Sequence, residues 1–187
     1  MFAELLARLG RALDAAGLPY MVIGGQAVLL HGEPRLTRDV DITLGAGLER
    51  VGDVVALLGV AGLRALVDPA VFTAQTLVLP CQDELSGLRV DFILSFTPYE
   101  REAIARAVPV TLGGSTVRFA TAEDLVVHKV LAGRPRDLED VKGVLWKNPS
   151  LDVRTVRDTL AAMGEAIDQP LAARFDEILA LGSGSRR

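Results

Sequence analysis

Asp39 and Asp41, two carboxylates two residues apart in the segment "DVDITL", carry the strongest chemical signal in this sequence. Alternate residues of a strand project from one face, so Asp39, Asp41 and Thr43 share a side while Val40, Ile42 and Leu44 take the other. One side is suited to chemistry and one to packing. The segment "RVDFIL" repeats the arrangement, with Arg89, Asp91 and Ile93 opposite Val90, Phe92 and Leu94. A carboxylate in a half-buried sheet is costly unless it is paired or binds a cation. Three of them on neighbouring strands would form an anionic site that a cation neutralises. Hard oxygen donors favour magnesium or manganese, and magnesium is usually held by one or two carboxylates together with substrate phosphates. A nucleoside triphosphate would complete such a site. With two ions roughly 3.5 to 4 Å apart, Asp39 and Asp41 would hold both, and Asp91 the one that activates an acceptor hydroxyl, whose proton it would take.

A phosphate-approaching turn precedes the acids. "YMVI" reads as a buried strand ended by Gly24 and Gly25, "QAVLLHG" as a short helix, and "EPRLTR" as a polar loop into the Asp39 strand. Arg38, beside Asp39, is placed either to contact phosphate or to pair with a neighbouring carboxylate. Upstream, residues 2–16 have helical periodicity, with Leu5, Leu6, Leu9 and Leu13 on one side. A further helix is expected over 48–58.

"TLVLP" and "LRVDFILS" read as a hairpin around "CQDELSG". Thr97 and Pro98 open a capped helix, and "VPVTL" and "STVRF" flank Gly113-Gly114 as a second hairpin. Thr121 caps "AEDLVVHKVLAG", and three more helices are expected up to residue 181. The fold class expected is α/β, a mixed twisted sheet flanked by helices. Residues 1–120 form the core, 121–181 a helical portion, and 182–187 a flexible tail.

With 187 residues, half of them hydrophobic, the chain can bury a real core. Its longest apolar run, Val54 to Leu63, falls short of the roughly 20 residues needed to span a bilayer, and the start lacks the order of a signal peptide. A soluble cytoplasmic protein with no membrane partner is expected. Cys81 is the only cysteine, which excludes a cysteine-based zinc site and suggests a small buried or edge residue. The net charge of -4 argues against duplex DNA as a partner. Basic residues between Lys129 and Lys147 form a local patch that tilts slightly toward RNA.

Taken together, "VIGGQAVLLHGEPRLTRDVDI" and the later "VDF" resemble the minimal nucleotidyltransferases of the DNA polymerase beta superfamily. "TRDVDI" with "EDLVVHKVLAGRPRDLEDV" is similar to the small bacterial abortive-infection and toxin-antitoxin group within it. The resemblance implies a nucleotidyltransferase fold and transfer of a nucleoside monophosphate, with ATP among the possible donors, to an RNA, a protein or a small molecule. An antitoxin partner is also implied. By position, Gly24 and Gly25 let the backbone approach the triphosphate, Asp39, Asp41 and Asp91 bind magnesium or manganese, and Lys129 reaches the nucleotide. Arg136, Asp137 and Asp140 match the following basic and acidic positions. Gln26 departs from the serine or threonine common there, leaving phosphate to backbone amides and basic side chains.

Blander readings compete with these. Lys129 could be a surface lysine, His31 and His128 read as ordinary helix residues, and Trp146 reads as a packing anchor between terminal helices. "DVDIT" also matches the D-x-D-x-T of aspartate-nucleophile phosphatases, which place it at the end of the first strand. A catalytically silent nucleotide-binding or antitoxin-like protein is the third alternative.

Overall fold

A computed structural model describes residues 1–95 and 97–184. Residues 185–187 of the expected tail lie outside the described residues, and residues 182–184 continue the last helix. The chain divides into two compact units, one of residues 1–26 and 36–120, the other of residues 27–35 and the chain from Thr121. Residues 27–35, expected with the core, thus group with the helical unit.

The first unit is a seven-stranded mixed sheet with helices. In chain order it holds α1 (Phe2–Ala15), β1 (Tyr20–Ile23), the start of α2 (Gly24–His31), β2 (Asp39–Leu44), α3 (Val51–Ala61), β3 (Leu63–Ala65) and α4 (Pro69–Thr76). Then come β4 (Val78–Asp83), β5 (Arg89–Leu94), α5 (Pro98–Ala105), β6 (Val108–Leu112) and β7 (Ser115–Phe119). Sheet order is β3-β4-β5-β2-β1-β7-β6, with β2 parallel to β5, β1 parallel to β7, and the other pairs antiparallel. The acid-bearing strands are therefore adjacent and central.

Alternation decides which face each residue takes. Val40, Ile42, Val90 and Phe92 are fully buried on one face, and α1, packed on β7 and α3, contributes Leu5, Leu6, Leu9 and Leu13 to the core. Each such side chain contributes about 1.5 to 3 kcal/mol. On the opposite face Met21, Ile23, Ala103, Ile104 and Ala120 form a second cluster, with Ile93 and Tyr99 against it. The short β3 and α4 went unread in the sequence. Yet α4 carries its own start signal, Asp68 capping the Val71 amide ahead of Pro69.

The second unit packs α6 (Ala122–Ala132), α7 (Pro135–Lys147), α8 (Val153–Ile167) and α9 (Leu171–Gly184). Thr121 accepts from the Asp124 amide, and Gly133 ends α6 in the left-handed region at φ 63°. Val126, Val130, Val141, Val144, Leu160 and Phe175 are fully buried. Trp146 is not the anchor expected: its side chain is 71% exposed. Among the described residues no helix is long and apolar enough to cross a membrane.

Candidate active site

Register places the first-unit carboxylates on one face of two adjacent strands. Along the parallel β2–β5 pair Asp41 lies opposite Asp91 and Asp39 opposite Arg89. Across the antiparallel β1–β2 pair, Ile23 lies opposite Asp41, so the chain leaving β1 turns at Gly24 beside that carboxylate. Gly24 has φ 63°, and a Cβ built on it would sit 1.9 Å from Asp41 Oδ2. Only glycine meets both demands, the left-handed backbone and the missing side chain. Gly25 continues directly into α2, whose first amides lack intrahelical partners as in any helix. The glycines thus open space at Asp41 and begin a helix there.

Asp39 and Asp91 are held differently. Thr37 Oγ1 donates to Asp39 Oδ1 at 3.0 Å. Asp91 accepts from Arg89 Nε on both oxygens, at 2.9 and 3.0 Å. The hydrogen bond and charge of Asp91 hold the Arg89 guanidinium above its ordinary pKa; partial burial opposes this, and the charges of Asp39 and Asp41 add to the rise. Arg89 therefore senses all three acids. Arg38 is exposed immediately before β2. Thr43, deeper on the same face, is buried, and its hydroxyl has no partner among the described residues. Among those residues no three acidic, imidazole or thiol groups are gathered as a metal-binding set.

Lys129 and Arg136 belong to the second unit. Lys129 is 5% exposed, so the surface-lysine reading is wrong. Its ammonium lies 2.7 Å from Asp137 and 2.9 Å from Asp140. Arg134 Nε reaches Asp137 at 2.5 Å, and Arg35 bonds both oxygens of Asp140 at 2.7 and 2.9 Å. Burial pushes the Asp137 carboxyl up, but the hydrogen bonds and charges of Arg134 and Lys129 outweigh it and leave the pKa below its ordinary value. Arg136 is exposed on α7. Lys142 pairs with Glu139 at 2.7 Å, and Lys147 lies 3.8 Å from Glu33. Within the basic stretch Lys129, Arg134, Lys142 and Lys147 are thus each engaged with a carboxylate.

Residues 2–170 match the model of a family of nucleotidyltransferases of unknown function, DUF6036. The chain belongs to this family. No functionally curated protein matches this nucleotidyltransferase. In solved structures its fold is similar to the antibiotic-resistance factor ANT(2'')-Ia in solution, with a TM-score of 0.61 and 18% identity, covering 89% of this chain and 94% of that one. A crystal structure of ANT(2'')-Ia in complex with adenylyl-2''-tobramycin gives 0.59 at 19% identity, covering 94% and 97%. The lincosamide antibiotic adenylyltransferase LnuA, lincomycin-bound, gives 0.53 at 14% identity over 75% of this chain and 94% of that one. The phosphatase alternative fails on topology as well: Asp39 opens the second strand, antiparallel to the first, instead of ending the first.

Sequence reasoning singled out the acids and the glycines and set Arg89 on the face of Asp91 without giving it a role, and it passed over Thr37 and Arg35. Arg89 stands two residues before Asp91 on a strand, which by alternation alone puts both on one face. No comparable local signal marks Arg35, whose partner is 105 residues away.

Proposed function

We propose that this nucleotidyltransferase moves a nucleoside monophosphate from a nucleoside triphosphate to a hydroxyl of a small acceptor molecule, releasing pyrophosphate. The observation that carries this reading is the register pairing of Asp41 with Asp91, with Asp39 on the same face and a glycine turn against Asp41. The donor set fits a divalent cation: all three side chains are hard-oxygen carboxylates, and the missing Gly24 side chain leaves space over one of them. Asp39, Asp41 and Asp91 would hold magnesium or manganese, which when bound neutralises triphosphate charge and acidifies the acceptor hydroxyl.

The chain's own residues do the rest. Thr37 orients the Asp39 carboxylate by its hydrogen bond. Gly24 and Gly25 bring the opening amides of α2 to the site, where unpaired N–H groups and the helix dipole favour phosphate. Arg38 supplies an exposed cation for the same charge. Asp91 accepts the proton of the attacking hydroxyl. In-line transfer then depends on positioning and charge, with no covalent intermediate on the protein.

Lys129 is assigned a positioning role in the second unit, through Asp137 and Asp140, and Arg136 a nucleotide contact. Adenylate as the group moved and a small hydroxylated acceptor are favoured by the adenylyltransferases of similar fold. The test incubates purified protein with each α-labelled triphosphate, magnesium, and a panel of aminoglycosides and lincosamides beside a small-molecule cell extract. Label should enter an acceptor, and Asp39→Asn should abolish it. Label in no acceptor with any of the four triphosphates overturns the reading.

A further inference from the structure

The geometry points to Arg89 as a tethered counter-ion that occupies the cation's place at the three-aspartate face and is displaced when a divalent ion binds. The inference rests on the proposed metal-binding role of Asp39, Asp41 and Asp91. Two observations converge on Arg89. It lies opposite Asp39 in register and engages both oxygens of Asp91 at 2.9 and 3.0 Å. And although three acids share this face, no ligand set stands assembled among the described residues, Asp91 being turned to Arg89.

Its exposure makes displacement cheap. The Arg89 side chain is 55% exposed while Asp91 is 17% exposed, so the arginine can swing into water and leave the acid in place. Without metal, Arg89 relieves the repulsion of like charges. With metal, the two cations compete for Asp91. An arginine at this position therefore lowers affinity for the ion alone, which keeps the resting protein from being filled by whatever divalent ion is abundant. It makes loading depend on the extra oxygens that a triphosphate brings.

The experiment measures manganese binding to the full-length protein without nucleotide, by electron paramagnetic resonance of the free ion, beside thermal melting with and without manganese. Arg89→Gln should bind manganese about threefold to fivefold more tightly than the parent, the gain set by the modest strength of a part-exposed ion pair. It should also melt lower without the ion and gain more on its addition. Arg89→Lys, which keeps the charge, should bind like the parent. Equal or weaker binding by Arg89→Gln than by the parent overturns the counter-ion role while leaving the metal site standing. Manganese binding by neither protein overturns the metal reading, and this inference with it.

Discussion

Replacing Gly24 by alanine adds one methyl group at the point where the turn meets Asp41, and two separate costs follow. The left-handed backbone, at φ 63°, costs a residue with a side chain about 1 to 2 kcal/mol. The new Cβ would stand 1.9 Å from Asp41 Oδ2 and 2.8 Å from its Cγ, inside any allowed contact, so the carboxylate must leave its rotamer for about 0.5 to 1.5 kcal/mol more. Gly24→Ala should therefore lose about 1.5 to 3.5 kcal/mol, a drop in melting temperature of about 3 to 14 °C for a chain of this size. Gly17→Ala provides the control, because Gly17 has φ 60° and nothing within 4 Å of its would-be Cβ. It should show the backbone cost alone. In an Asp41→Ala background, which removes the Oδ2 and Cγ contacts but keeps a Cβ 3.0 Å away, the cost of Gly24→Ala should fall toward that of Gly17→Ala, a double-mutant cycle read by circular dichroism melting. Moving a carboxylate by about 1 Å should also cost about a hundredfold in transfer rate. If Gly24→Ala and Gly17→Ala melt alike and Asp41→Ala changes nothing, the turn does not press on the carboxylate and the reasoning is refuted.

Three further outcomes follow from other parts of the structure. Lys129→Met leaves Asp137 and Asp140 buried with less compensation and should cost about 3 to 5 kcal/mol, visible as a melting temperature lower by about 10 °C; an unchanged melting curve would count against the ion-pair network. Asp137 has a folded-state pKa below its unfolded value of 3.8, so its stabilisation is complete above that value and is lost as pH falls through the folded one. Urea midpoints should therefore decline from pH 6 to below pH 4, less steeply in Asp137→Asn. Cys81 is fully buried and its thiol is pushed up to about 12, by burial first and by the Asp91 charge second. Ellman's reagent at pH 8 should leave the native protein unlabelled over minutes and take up one thiol at once in urea.

The acid strands were legible because a period of two is a short-range signal: "DVDITL" and "RVDFIL" each sort their residues by neighbour alone. Helix starts were equally local. Thr97 and Thr121 announce themselves by capping an amide three residues on, and the structure shows both bonds. What escaped depends on distant sequence. Lys129 has the look of a surface residue on an amphipathic helix, and only the arrival of Asp137 and Asp140 from the next helix makes its burial tolerable. Trp146 erred in the opposite direction, since an aromatic's size predicts burial on average while the helix face it occupies is decided by packing. β3, three residues long, is too short to display any period and exists because it pairs with β4.

The discontinuous second unit has a consequence for anyone wishing to cut this protein into parts. Residues 27–35 leave the first unit and are tied into the helical one. Asn148 Nδ2 donates to the His31 carbonyl at 2.7 Å, Gly32 lies against Val144, and Arg35 pairs with Asp140. A fragment ending at Ala120 would keep this nine-residue excursion while losing Asp140, Val144 and Asn148, the partners of Arg35, Gly32 and His31. Simple truncation thus leaves the excursion without these partners. Isolating the sheet unit calls for excising the excursion and rejoining Gln26 to Leu36 through a short hydrophilic linker, and the helical unit would in turn need residues 27–35 grafted back onto it.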